Sequence, residues 1–223
     1  MVHSYTRMFV VSVIAIGLSA CGGGGGTPTG SSGTPTTPTQ TNRAPVISSM
    51  NFTPAFGIQQ LTTFTYNANA SDPDGDAITY TWDIAGNPAS GTNGTISFSN
   101  GGNGTAKVTV TDSKGATTSD TRTFVVGTAT GSWTGTFDRW HFTSHLTQNS
   151  TAITGDYSDE LGAGKLDPAV ANTIDANGNV RLRYKQAVFS DWIFTGTMDS
   201  TGVRITGVVN GSGYSNVPFT MTK

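Results

Sequence analysis

The sequence predicts an all-β protein: a β-sandwich, then an up-and-down antiparallel barrel of about eight strands, both carried behind a leader and a flexible tether. Three observations predict it. Charged residues are only 12% of the chain and glycine numbers 29, with Thr, Ser and Asn frequent throughout, which favours short strands and tight turns. Apolar residues recur at every second position in stretch after stretch, the period of a half-buried strand. Long runs of Leu, Ala, Glu and Lys at helical spacing are missing, which argues against a helical bundle.

The leader comes first. Arg7 supplies a positive charge, Met8 to Leu18 an apolar stretch, and small residues follow, the pattern of a secretory signal peptide over residues 1–20. The stretch is too short to span a bilayer, which takes about 20 apolar residues. Its end, Leu18-Ser19-Ala20-Cys21-Gly22, resembles the lipobox of bacterial lipoproteins. The resemblance implies that diacylglycerol is attached to the Cys21 sulfur, that the peptide is cut before it, and that the new amine is acylated. Each buried methylene contributes roughly 0.8 kcal/mol, so several acyl chains hold durably where one holds marginally. An ordinary signal peptide cut near Ala20 would leave Cys21 a free thiol instead. Gly22 stands where the family's inner-membrane retention signal places Asp, so the resemblance points to the outer membrane of the cell envelope. Cys21 is also the only cysteine, which excludes an intrachain disulfide and leaves stability to packed cores.

Residues 21–42 continue as a glycine run followed by Thr, Pro, Gly and Ser, with almost no charge and no apolar periodicity. Such a segment cannot bury enough surface to fold. Fully extended it reaches at most ~70 Å, a tether between lipid and folded domains.

Residues 43–127 read as the first folded domain. Ile78, Tyr80, Trp82 and Ile84 alternate with Thr79, Thr81 and Asp83, and the same period appears at Phe64, Tyr66 and Ala68 and at Ala106, Val108 and Val110. Asp112-Ser113-Lys114-Gly115 turns the chain into a last strand ending at Phe124 to Val126. Four ordered blocks, Asn42-Arg43-Ala44-Pro45-Val46, Ser71 to Asp76, Tyr80-Thr81-Trp82-Asp83 and Val108 to Asp112, resemble the PKD and related Ig-like bacterial domains. One departure is that Ile84-Ala85-Gly86-Asn87 replaces the family's usual Phe-Gly-Asp-Gly after Trp82-Asp83. The resemblance implies a spacer or adhesion module of extracellular proteins. Asp72-Pro73-Asp74-Gly75 fits a type I turn residue by residue. The same stretch places the carboxylates of Asp72, Asp74 and Asp76 within five residues, a density suited to a structural Ca²⁺, although the spacing is not that of an EF-hand.

Residues 131–223 read as the barrel. An apolar residue followed by Thr and Gly occurs at Trp133, Ile153, Phe194 and Ile205, at near multiples of the roughly 8–12-residue repeat of one strand and one turn. Asn177-Gly178, Thr201-Gly202 and Asn210-Gly211 mark hairpins between the runs. The opening Gly131-Ser132-Trp133 resembles the first strand of lipocalin- or avidin-like barrels, which implies a small-ligand interior. Trp133, Tyr184 and Trp192 are the candidate lining, or else simply core. Arg181, Arg183 and Lys185 share one face of a strand, either solvated or facing phosphates of a surface anion.

Signatures of catalysis are lacking. No Gly-x-Ser-x-Gly elbow occurs, His141 and His145 lack the helical metal-site pattern, and nothing in the spacing brings Asp156, Asp159 or Glu160 together as an acid/base pair. A formal net charge of −2 predicts no nucleic-acid partner. The expectation is a noncatalytic, lipid-anchored envelope protein without a cofactor, in which an Ig-like stalk presents a barrel to an envelope protein, a glycan or a small ligand. An accessory or cryptic extracellular hydrolase is the alternative from another class.

Overall fold

Alternation becomes structure first in β4 (Ile78–Ile84), where Trp82 and Ile84 are buried and Thr81 and Asp83 exposed. Around it stand β1 (Val46–Thr53), β2 (Phe56–Ile58), β3 (Thr63–Ser71), β5 (Asn87–Ser90), β6 (Asn93–Ser97), β7 (Gly102–Asp112) and β8 (Thr117–Gly127). One sheet runs β1-β3-β6 and the other β2-β8-β7-β4-β5, with β2 parallel to β8. Between them lie Phe64, Ala106, Val108 and Val110 with essentially no exposure, and Phe52 and Phe124 stack with ring centroids 4.6 Å apart. This is a sandwich in which two apolar faces bury each other.

The computed structural model describes residues 40–186 and 190–223. The predicted signal peptide, Cys21 and the predicted linker as far as residue 39 lie outside the described residues. Every regular element among those described is a strand, and none is a helix long and apolar enough to cross a membrane.

The barrel consists of β9 (Gly131–Phe137), β10 (Trp140–Asn149), β11 (Ala152–Asp159), β12 (Gly162–Lys165), β13 (Thr173–Ile174), β14 (Asn179–Tyr184), β15 (Trp192–Met198), β16 (Arg204–Gly211) and β17 (Tyr214–Thr222). Each pairs antiparallel with its neighbours, and β17 returns to β9. β12 and β13 lie beside successive stretches of β11, and a bridge between Leu166 and Tyr184 hands the first of them on to β14. They therefore fill one position, and the closed ring has eight. Closure leaves no long unpaired edge.

Barrels of eight strands are narrow enough for side chains to fill, provided bulky residues meet small ones across the ladder. The repeated apolar-Thr-Gly motif supplies that alternation. Trp133, Ile153, Phe194 and Ile205 point inward and are buried, and the Thr after each points out. Gly135 then lies opposite Phe142, where a Cβ would run into the ring, and Gly164 bears the same relation to Tyr157. Gly196 and Gly207 pair with each other, and the Phe219 ring fills the space above Gly196.

Only Thr128 to Thr130 separate β8 from β9, and the two cores interlock. Ile58, at the end of β2, is fully buried within the barrel's own hydrophobic cluster, with Phe56 and Leu61 packed against it. The sequence suggests two separate cores; a three-residue strand carries no period by which to place Ile58. Gln148 of β10, 5% exposed, accepts a hydrogen bond from the Ala129 N–H at 2.8 Å and donates to the Gln59 carbonyl at 3.3 Å. The Ser150 N–H donates to Gln60 Oε1 at 2.6 Å. The sandwich thus plugs the barrel end that carries the β10–β11, β13–β14 and β15–β16 turns. The other end carries the β9–β10, β11–β12, β14–β15 and β16–β17 connections.

Candidate functional site

The acidic segment between β3 and β4 folds as the predicted turn. The Gly75 N–H donates to the Asp72 carbonyl at 3.2 Å, Gly75 takes φ +79°, and Asp72 Oδ1 accepts from the Asp74 and Asp76 N–H groups. One carboxylate oxygen from each of Asp72, Asp74 and Asp76 lies within 4.8 Å of the others. This hard-oxygen donor set is of the kind Ca²⁺ takes, and Asp72 Oδ2 is buried without a hydrogen-bond partner among the described residues. Two of the three carboxylates, however, already face cations of the chain. Asp74 accepts from the backbone N–H and Nε of Arg43, each at 2.7 Å, and Asp76 pairs with Lys114 Nζ at 2.9 Å. That contact holds the Lys114 ammonium above its ordinary value. The Arg43 pair, together with the Asn42 amide bonded to Asp112 at 2.8 Å, clamps the end of the linker onto the sandwich.

The three candidate lining residues of the barrel come together as packed core. Trp133, Tyr184 and Trp192 are at most 3% exposed. Phe194 stands edge-on to Tyr184 at 4.9 Å, Trp192 edge-on to Phe137 at 5.0 Å, and Trp133 Nε1 donates to the Ala129 carbonyl at 2.7 Å. Burial pushes the Tyr184 phenol up, and its hydroxyl donates to Ser144 Oγ at 3.3 Å. No ring face of these three is offered to solvent.

The basic strand is not a uniform cationic face. Arg183 is held by Asp191 at 2.7 Å and faces Asp167 at 3.5 Å, and Arg181 donates to the Ala171 carbonyl at 3.2 Å. Lys185 alone of the three is exposed.

His141 and His145 project from the outer face of β10, too exposed and too well engaged to form a buried metal pair. The His145 Nδ1 meets Asp156 at 2.9 Å directly across the β10–β11 ladder, and the His141 Nδ1 meets Glu160 at 3.1 Å. Glu160 also accepts from the His141 backbone N–H; its own backbone N–H and these contacts hold its carboxyl below the ordinary carboxylate value.

Beside His141 lies a groove of about 630 Å³ on the outside of the barrel, crossing β17, β9, β10 and β11. The register explains its lining. Thr220 lies opposite Thr136 and Thr136 opposite His141; the next row runs Thr222, Thr134, Thr143 and Ser158. Thr143 and Ser158 join hydroxyls at 2.6 Å. These outward positions alternate with the buried Trp133, Gly135, Phe137 and Phe142, so the ladder fixes where the hydroxyls and methyls project. Sequence reading does not bring these threonines together, because cross-strand register is not written in a single strand.

Comparison with known proteins decides the family of the sandwich, since the PKD domain family matches residues 42–127. The sandwich is a PKD domain. The crystal structure of the PKD1 domain of Vibrio anguillarum Epp is 30% identical over 39% of this chain and 96% of its own, with a TM-score of 0.32. A structure described as showing the promiscuous specificity of carbohydrate-binding modules from the β-sandwich superfamily is 17% identical, over 82% of this chain and 91% of its own, TM-score 0.37. The Bacteroides ovatus mixed-linkage glucan utilization locus protein SGBP-B, in complex with a mixed-linkage heptasaccharide, is 15% identical over 81% of this chain and 61% of its own, TM-score 0.29. No curated protein matches the chain.

Within the PKD domain, the departure after Trp82-Asp83 has a local cause. Ala85 and Gly86 both take positive φ, +49° and +81°, and the Gly86 N–H donates to Asp83 Oδ1 at 2.8 Å. These residues make the two-residue hairpin between β4 and β5, a geometry that twists with the strands it joins.

Proposed function

We propose that this chain is a noncatalytic, lipid-anchored protein of the bacterial cell envelope, held at the outer membrane through Cys21, in which the PKD domain seats a barrel whose outer groove binds a neutral, hydroxyl-rich ligand, a glycan. The groove carries the reading. Its Thr and Ser hydroxyls both donate and accept, as sugar hydroxyls do, and their methyls offer apolar contact to sugar C–H faces. Of the charged groups in its lining, His141 is paired with Glu160 and Asp159 Oδ1 accepts from the Leu161 and Gly162 N–H groups, which leaves no unpaired cation there to draw an anionic ligand. A pre-ordered row of donors also lowers the entropy lost on binding.

The hydrolase alternative draws on one observation, that Thr136 stands opposite His141, whose Nδ1 is held by Glu160. Against it, the backbone N–H groups of β9, β10, β11 and β17 at this place are engaged in ladder pairing, or in the case of His141 in the bond to Glu160, so none is aimed at a developing oxyanion. His141 is also 76% exposed, which leaves a charged intermediate in water rather than in a dry cleft.

The test is a screen of neutral oligosaccharides against the full chain, followed by calorimetry of any hit. Thr136→Val and His141→Ala are expected to weaken binding at least tenfold with the melting temperature unchanged. No binding across the screen, or turnover of an ester or glycoside abolished by His141→Ala, would defeat the reading. Anchoring is tested by a palmitate analogue, which is expected to label the wild type and not Cys21→Ala.

A further inference from the structure

A second site lies at the barrel end that faces away from the PKD domain. There the β11–β12 hairpin, Leu166, Pro168, Lys185 and Gln186 line a pocket of about 470 Å³. Leu166 bridges Tyr184, and the Lys185 N–H donates to the Lys165 carbonyl at 3.3 Å, so Lys165 and Lys185 face each other across neighbouring strands. Like charges directly opposite are unfavourable in a sheet. Both lysines line the pocket and are exposed, and neither has an ion-pair partner among the described residues. The nearby carboxylates are engaged elsewhere: Asp167 and Asp191 face Arg183, Asp156 faces His145, and Asp159 Oδ1 accepts from the Leu161 and Gly162 N–H groups.

Two more atoms at this pocket lack partners. Gln186 Nε2 and Asp159 Oδ2 are buried without a hydrogen bond among the described residues, and both side chains line the same pocket. One is a donor and the other an acceptor. Native proteins leave few such atoms, and each calls for a ligand, a water or an ion.

We propose that this pocket binds a phosphate group in its protonated, singly ester-linked or free form. The two ammonium groups neutralise the anion, and relieving their mutual repulsion favours the loaded state. Turning its amide, Gln186 donates to a phosphate oxygen. Asp159 Oδ2, an acceptor only, takes the hydrogen bond of the P–OH. Sulfate at neutral pH has no proton to give, so the same carboxylate discriminates against it. The phosphate is that of a lipid headgroup or of a soluble molecule.

The test uses the full chain with Cys21→Ala, so that association with vesicles reads the barrel rather than the acyl anchor. At constant ionic strength in chloride, inorganic phosphate is expected to raise the melting temperature, and sulfate to do so only weakly. Lys165→Gln/Lys185→Gln is expected to melt no lower than its parent without phosphate, and to bind phosphate at least tenfold more weakly. Asp159→Asn is expected to abolish the preference for phosphate over sulfate. Vesicles of phosphatidylcholine, with and without phosphatidic acid, separate the sources. Lysine-dependent cosedimentation only with phosphatidic acid assigns the headgroup, whereas binding of free phosphate without it assigns a soluble ligand. An equal response of parent and double variant to phosphate and to both vesicles, or no response in either, overturns the proposal. Asp159 lines both sites, but Thr136 lines only the groove and Lys165 and Lys185 only this pocket, so Thr136→Val should change none of these readings and the double lysine variant should leave glycan binding intact, which tells the two sites apart.

Discussion

Gln148 of the barrel is bonded to Gln59 of the PKD domain, its Nε2 donating to the Gln59 carbonyl at 3.3 Å while its Oε1 accepts from Ala129. A buried amide so placed makes each domain a partner in the folding of the other. Truncating it leaves the Ala129 N–H without an acceptor in a buried setting, which costs about 2 kcal/mol. Gln148→Ala should therefore lower the midpoint of urea unfolding and speed proteolytic cutting at residues 128–130. A variant that only shifts one domain's transition would disprove the coupling.

Ile58→Ala tests the same junction from the other side. The side chain has no exposed surface and sits in the barrel cluster, so its loss is expected to cost about 3 kcal/mol. The informative readout is the near-ultraviolet signal of Trp133 and Trp192, which should be lost at lower denaturant although the substitution lies in the PKD domain.

Two glycines separate crowding from backbone strain. Gly135→Ala drives a Cβ into the Phe142 ring and should destabilise by about 1–3 kcal/mol. Gly75→Ala meets no neighbouring atom but must hold φ +79°, which costs about 1 kcal/mol. Gly75→Asn should recover most of the second loss, and Gly135→Asn none of the first.

Acid should loosen the PKD domain through Asp112. Burial raises its carboxyl, but hydrogen bonds from the Asn42 amide and from the Ala116 and Lys114 N–H groups outweigh it and leave the group below its ordinary value. A depressed folded value means stability that is present above the unfolded value of about 3.9 and is lost as pH falls through the folded one. Asp112→Asn keeps an acceptor without the charge, so its unfolding free energy should fall less steeply below about pH 4 than that of the wild type.

Calcium is the fourth variable. With Arg43 and Lys114 already on Asp74 and Asp76, millimolar Ca²⁺ is expected to leave the melting temperature unmoved. A rise abolished by Asp72→Asn would make the turn a metal site after all.

What the sequence reveals follows from what is local. Ile78 to Ile84 announces its strand because one side chain in two is buried, and Trp133-Thr134-Gly135 announces another for the same reason. Asp72 to Gly75 reads as a turn because its bonds close within the four residues. Ile58 and Gln148 escape notice because their partners lie in the other domain. The groove escapes because Thr136 meets Thr220 only through closure of the ring, and Lys165 meets Lys185 only because β12 hands its register on to β14.

The ammonium of Lys223 donates to the Thr128 carbonyl at 2.7 Å and lies 4.9 Å from the centroid of the Trp133 ring. Anything joined after Lys223 therefore starts beside the seam of the two domains, while a tag spliced at Ser212-Gly213 rides at the opposite pole. A fluorophore in each position would act as a molecular ruler along the barrel, and the C-terminal dye alone would report whether the seam opens.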